Sequence, residues 1–318
     1  MKCGLRELVL RVLLVAASCS AVVSGAATAR ADEPYIRTED VIYGRKFGSA
    51  LTLDVFAPKE NANGAAVVWV VSGGWFSSHD SIAFFPVAAG EFVRRGYTVF
   101  AVVHGSQPKY TIPEVLEDMH RAVRFIRSRA DVYKIDPQRI GITGGSAGGH
   151  LSLMQGTAGT AGNAAAKDPV ERQSSRVQAV ACFYPPTDFL NYGKTGENAL
   201  GVGILKNFRA PFDFRAFDDK TKAFVTITDE EKRAEIGRAI SPVNHVSADD
   251  PPTLIVHGDA DTLVPIQQAE IIIAKLRDAK VPCELVVKKG AGHGWPPAEM
   301  VKDVAVMADW FDQHLGKK

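Results

Sequence analysis

Ser146 stands in Gly144-Gly145-Ser146-Ala147-Gly148, a serine with glycines two positions away on either side. A short β-branched run precedes it and an apolar, helix-compatible run follows. A serine at a tight strand-to-helix turn sits in strained backbone, and small neighbours let strand, turn and helix approach closely. The hydroxyl then projects above the sheet, and the amide of the next residue points at an incoming carbonyl from a helix N-terminus. A serine hydroxyl needs a base to take its proton and a third group to hold that base in one tautomer. Two later stretches offer them: His257-Gly258-Asp259-Ala260-Asp261 and Gly290-Ala291-Gly292-His293-Gly294. Glycines on both sides of His293 argue for a loop held close to a ligand and against a core histidine. The carboxylate is Asp259 or Asp261; the one not used ties the turn.

An oxyanion needs two backbone amides aimed at it, and losing one such donor raises the barrier by about 3–4 kcal/mol. Ala147 supplies one by position. Gly73 or Gly74, closing an apolar run, supplies the other, because glycine lets backbone approach a ligand. Trp75, His104 and Pro185 are expected to line the pocket, and His79 is a further candidate. His150 falls in the first turn of the helix after Ser146, His245 and His257 near the neighbouring loops, and His314 on the last helix. Packing or hydrogen-bonding roles are expected for most of these.

The elements that must hold these residues alternate. The pattern predicts a hairpin over 36–57 with its turn at 44–48, then a strand over 65–71 that is continuously apolar and so buried on both faces. A helix over 82–95, a strand over 97–103, and a helix over 112–130 with one apolar stripe follow. The strand leading to Ser146, its helix, a small and polar loop over 158–175, and a buried strand over 177–184 come next. Further on are a strand over 252–257, a helix over 265–280, a strand over 281–288 and a helix over 298–314. This rhythm predicts a mostly parallel sheet with helices on both faces, with ligand at the carboxyl ends of the strands. Gly73, His104, Ser146 and Pro185 all fall there. The segment 187–248 breaks the rhythm with glycines, aromatics and one charged helix over 228–240. It reads as an insertion over that edge, a lid or substrate wall.

At 318 residues the chain has room for one large α/β domain. A net charge of +1 gives no reason to expect nucleic acid or an anionic membrane as partner. Lys2, Arg6 and Arg11 precede or interrupt a short apolar stretch that ends in Ala29-Arg30-Ala31, the pattern of a secretory signal peptide over 1–31. The mature domain is then 32–318, secreted or periplasmic, without stable membrane insertion. Its remaining cysteines, Cys182 and Cys283, sit in apolar strand-like runs and are expected to be buried free thiols, and they lack metal-ligand spacing.

These stretches resemble α/β-hydrolases of the acetyl-esterase and hormone-sensitive-lipase-like group, a group also similar to the catalytic domains of prolyl-oligopeptidase-like peptidases. The resemblance spans 36–314. It rests on Gly73-Gly74-Trp75, Gly144 to Gly149, His257-Gly258-Asp259-Ala260-Asp261 with Val264-Pro265, and Gly292-His293-Gly294. It implies an α/β-hydrolase fold and ester hydrolysis through an acyl-enzyme, with no metal or cofactor. It places the acid three residues after the glycine, at Asp261, completing Ser146, Asp261 and His293 in the order such enzymes use. One departure stands out: where the group commonly has His-Gly-Gly-Gly-Trp, this chain has Val71-Ser72-Gly73-Gly74-Trp75, so the loop's support must differ, with Ser72 or His104 as stand-ins. The expected activity is hydrolysis of short acyl esters, with acetyl or feruloyl groups on carbohydrate as substrates. A serine peptidase, a long-chain lipase and a non-catalytic binding protein are the competing readings.

Overall fold

Strands apolar at every position must be covered on both faces, and a computed structural model describing residues 33–316 has that architecture. The segment 1–31, with Cys3 and Cys19, lies outside the described residues. Ten strands are present among the described residues: β1 (Tyr35–Lys46), β2 (Ser49–Pro58), β3 (Ala66–Val70), β4 (Thr98–Val103), β5 (Ile140–Gly145), β6 (Ala179–Phe183), β7 (Arg215–Asp218), β8 (Ala223–Thr226), β9 (Thr253–Gly258) and β10 (Cys283–Lys288). The main sheet has 8 strands in the order β1-β2-β4-β3-β5-β6-β9-β10. Both β1–β2 and β2–β4 pair antiparallel, and every later pair is parallel.

Among the described residues eight helices accompany it: α1 (Phe85–Ala88), α2 (Gly90–Arg94), α3 (Ile112–Ser128), α4 (Ala130–Tyr133), α5 (Ala147–Thr157), α6 (Glu230–Ala239), α7 (Gln267–Asp278) and α8 (Pro297–Leu315). Alternate strand residues feed two separate cores. Val68, Val70, Ile142, Val180 and Cys182 pack with the apolar faces of α3, α5 and α7. Val67, Trp69, Ala181 and Val256 pack with α1, α2 and α8 through Phe85, Phe92, Met307 and Phe311. Each fully buried aliphatic or aromatic side chain contributes roughly 1.5–3 kcal/mol of transfer free energy, so two-sided burial makes the strand run itself the main source of stability.

The strand order also sets the crevice. The chain passes from β3 to β4 on one side and returns to place β5 on the other side of β3. The helices after β3 and after β5 therefore cover opposite faces, which opens a gap above the carboxyl ends of these two strands. The loop 72–77 and Ser146 occupy it.

Three elements differ from expectation. The predicted helix over 82–95 is a 3₁₀ turn (His79–Phe84) followed by α1 and α2, with a break at Ala89, whose φ is −147°. Pro86 cannot donate back to Ile82 and so separates the 3₁₀ turn from α1, and Gly90 favours the interruption at Ala89. In the hairpin, the turn is Phe47-Gly48 and Gly44 lies within β1 beside a register irregularity. Within 187–248, α6 was legible but the exposed ribbon β7–β8 was not, its four-residue strands being too short for a clear alternation. Much of this segment is core: Phe189, Tyr192, Leu205, Phe212, Phe214 and Ile240 join the cluster of α3, α5 and α7. Cys182 is buried and Cys283 only half-buried, both as free thiols.

Candidate active site

Ser146 joins β5 to α5 with φ 55° and ψ −119°, a backbone region that costs an L-residue about 1–3 kcal/mol. The surrounding glycines are steric necessities. A Cβ on Gly144 would lie 2.6 Å from the backbone carbonyl of Gly148, and one on Gly148 would lie 2.9 Å from the carbonyl oxygen of Val70. The Ser146 amide donates to Phe183 O at 3.0 Å, and its own carbonyl accepts from the His150 amide at 2.9 Å, so both neighbours of the turn hold it.

His293 Nδ1 is 2.7 Å from Asp261 Oδ2, and His293 Nε2 is 2.9 Å from Ser146 Oγ. A carboxylate accepts, so Nδ1 carries the proton, and in the neutral ring Nε2 offers its lone pair to the Ser146 hydroxyl. Asp261 Oδ1 accepts from the amides of Leu263 and Val264, both at 2.9 Å. Burial disfavours its charge, but the adjacent His257 ring, the hydrogen bond with His293 and the Val264 amide outweigh burial and hold the carboxyl well below the usual range. Asp259 turns outward instead: it is exposed and accepts from the Gly290 amide at 2.5 Å. His257 is fully buried, and its Nε2–H donates to Val264 O at 2.8 Å while standing 3.5 Å from Asp261 Oδ2. It thereby helps to hold the loop that carries the carboxylate.

The loop after β3 is built differently. The Gly73 amide donates to Phe76 O at 3.0 Å and the Phe76 amide returns to Gly73 O at 2.9 Å, closing a tight turn. That engages Gly73. The Gly74 amide has no hydrogen-bond partner among the described residues, and Gly74 and Trp75 both have positive φ, 56° and 58°. A Cβ on Gly74 would come within 2.6 Å of the Phe208 ring. Ala147, as the first residue of α5, has an amide that no preceding turn can satisfy. Trp75 Nε1 donates to His150 Nδ1 at 3.1 Å, and His150 Nε2 then donates to Ile240 O at 2.7 Å. His150 is fully buried, and that burial pushes its imidazole down to about 4.

A cavity of about 510 Å³ opens over Ser146 and His293, walled by Trp69, Phe84, Phe208, Leu263 and Met300 among others. Among the described residues no Asp, Glu, Lys or Arg lines it. Of the residues expected to line it, none does. Trp75 is buried behind the loop against Phe189 and Phe212. His104 is buried beneath it, and Pro185 is packed near α5. His79 lies beside Asp40 and Asp54 near the β1–β2 hairpin. Those three residues bring their donor atoms within 4.8 Å of one another, but Asp54 Oδ2 is already bound to the Arg37 guanidinium at 2.5 Å. That pairing argues against a cation there.

Two contributors escaped the sequence reading. Tyr184, at the carboxyl end of β6 with φ 33°, lays its ring 4.6 Å from that of His293. Burial and the Asp261 charge raise its phenol to about 12, so it stays neutral. Phe208 forms cavity wall and presses on Gly74. Tyr184 occupies a strand end like the other site residues, which was the available signal. Phe208 is one of the aromatics of the segment 187–248 expected as a lid or substrate wall, but nothing in its sequence singled it out from the others.

The family model BD-FAE matches residues 53–276. The "Probable carboxylic ester hydrolase LipM" of Mycobacterium tuberculosis is 29% identical over 248 residues, covering 76% of this chain and 52% of that protein. The chain thus spans about half the length of this curated relative. A solved structure described as "Truncated form of carbohydrate esterase from gut microbiota" superposes with a TM-score of 0.71 at 26% identity, covering 90% of this chain and 99% of that one. The thermophilic esterase Est2 of Thermogutta terrifontis, at 24% identity and TM-score 0.67 over 87% of this chain and 92% of that one, shares the fold.

Proposed function

The chain belongs to the BD-FAE family and has the α/β-hydrolase fold, and on that premise we propose that it is a serine carboxylesterase acting on short-chain acyl esters of carbohydrate. The observation that carries this reading is the hydrogen-bonded chain from Ser146 Oγ through His293 to Asp261, at 2.9 and 2.7 Å. Ser146 Oγ attacks the ester carbonyl carbon as His293 Nε2 takes its proton. The oxyanion is received by the amides of Ala147 and Gly74; Gly73, whose amide is spent on Phe76, shapes the loop. His293 returns the proton to the departing alcohol, leaving the acyl group on Ser146. A water then attacks with His293 again as base, releasing the acid. Asp261, held ionised, keeps His293 in the donating tautomer and stabilises the imidazolium that forms at each step.

The absence of formal charge around the cavity supports a neutral ester, because a charged acyl or alcohol group would lose its hydration there without a partner. The named carbohydrate esterase among the structural relatives supports a sugar as the alcohol. The N-terminal pattern of the sequence, that of a secretory signal peptide, supports export. The test is hydrolysis of p-nitrophenyl acetate, butyrate and octanoate by the protein and by Ser146→Ala. Rapid turnover of the two shorter esters, abolished by the substitution, is the expected result. No turnover by folded protein, or unchanged turnover in Ser146→Ala, overturns the reading.

A further inference from the structure

Below the loop that carries Gly73 and Gly74, Ser72 Oγ lies 2.9 Å from His104 Nε2, and His104 Nδ1 lies 2.6 Å from Gly105 O. The direction of these bonds follows from chemistry. A carbonyl only accepts, so Nδ1 carries the proton. His104 is buried, and burial pushes its imidazole down to about 4, so the ring holds a single proton near neutrality. Nε2 is therefore a lone pair, and the Ser72 hydroxyl donates to it.

This bond ties the carboxyl ends of two adjacent parallel strands, β3 and β4, just before the backbone enters two successive positive-φ residues. Positive φ at Trp75 is a strained choice for a large side chain and persists only where neighbours over-determine it. His104 is itself part of the tether. Its amide donates to Ser77 Oγ at 3.2 Å, and Ser77 Oγ donates to Val71 O at 2.6 Å, so both ends of the loop meet at one residue, Ser72 at its imidazole and Ser77 at its backbone amide. Behind it, the Gly105 amide donates to Asp118 Oδ2 at 2.9 Å, and Asp118 Oδ1 is 2.9 Å from Lys46 Nζ. The loop thus hangs from a buried polar chain that continues to the β1–β2 hairpin.

We infer that Ser72 and His104 are the positioning pair for the oxyanion donor at Gly74, replacing the support that the histidine of a His-Gly-Gly-Gly loop would give. This rests on the esterase reading above. An amide that serves only the tetrahedral oxyanion matters in the transition state and not in ground-state binding. Loosening the loop must therefore lower kcat and leave KM in place.

The experiment compares Ser72→Ala and Ser72→Thr with the wild type on p-nitrophenyl acetate, together with inhibition by phenylboronic acid, whose adduct on Ser146 places an oxygen in the oxyanion position. For Ser72→Ala, kcat falls on the order of 10- to 100-fold with KM within about threefold, the loss expected from a misplaced rather than a missing donor. Phenylboronic acid affinity falls by the same factor as kcat/KM, and Ser72→Thr, which keeps the hydroxyl, recovers most of the activity. Activity of Ser72→Ala within about threefold of wild type overturns the inference. So does a loss confined to KM with unchanged phenylboronic acid affinity, which would make Ser72 a substrate contact. Ser146→Ala run alongside separates the two levels: if it still turns over ester, the esterase reading fails; if only Ser72→Ala is silent, the pair alone fails.

Discussion

Two neighbouring strand ends, those of β3 and β5, carry the two halves of the site, and they are stabilised by opposite means. The β5 turn is held by its own backbone. Gly144 and Gly148 sit so close that a methyl on either would enter a carbonyl, and the strained Ser146 is pinned by amide bonds to Phe183 and His150. The β3 loop has comparable strain at Trp75 but takes its support from side chains, its own Ser77 and three that are far away in sequence, His104, Ser106 and His150. A turn that needs close backbone approach can be satisfied only by glycine. A loop that needs hydrogen bonds can be satisfied by many residues in many places.

Substitutions test this contrast in decreasing order of effect. Ser146→Ala removes the proposed nucleophile; kcat on p-nitrophenyl acetate falls by roughly 10⁵- to 10⁶-fold with the melting temperature nearly unchanged. Asp261→Asn leaves the geometry but reverses the tautomer of His293, costing about 10⁴-fold in kcat. Asp259→Asn, which touches only the Gly290 amide, stays within about tenfold of wild type. Equal losses in the two Asn variants would break the division between acid and turn residue.

At the β3 end the two glycines separate. Gly74→Ala must accommodate positive φ and a Phe208 ring at 2.6 Å, and with its amide displaced kcat falls by about 10²- to 10³-fold. At Gly73 an added methyl meets nothing within 4 Å; Gly73→Ala raises KM through the occupied cavity and spares kcat to within about tenfold. The reverse ranking would reassign the oxyanion donor.

A further test of the β3 end is its pH dependence. His104 and His150 both support the β3 loop, and burial depresses both from 6.5 to about 4. Between those values the unfolded chain binds protons that the folded protein refuses, so stability is complete above about pH 6.5 and declines toward pH 4. The decline is limited to roughly 3 kcal/mol for each imidazole. Lys46, close enough to His104 to add to the depression, acts in the same direction. Urea midpoints at pH 7, 5.5 and 4.5 measure it, and a midpoint constant across that range would mean that these rings are not buried neutral.

Much of the molecule was written in the chain's local chemistry. The doubly buried strands, the alternation with helices, the turn at Ser146 and the glycine-flanked His293 follow from sterics and burial, which act on each segment within a few residues. These also identified the strand ends where the site lies. Other matters depend on which distant groups meet. Asp261 and Asp259 are nearly equivalent in sequence, and only the packing of the β9 and β10 loops turns one inward to His293 and the other out to Gly290. Trp75, His104 and Pro185 have the composition of pocket residues, yet the fold places them behind the cavity and puts Phe208 and Tyr184 at its wall. The bond from Ser72 to His104 joins residues on two strands that become neighbours only when the sheet forms. Local strain leaves a mark in residue type because few residues can bear it; a hydrogen bond between remote side chains leaves none until tertiary structure brings donor and acceptor together.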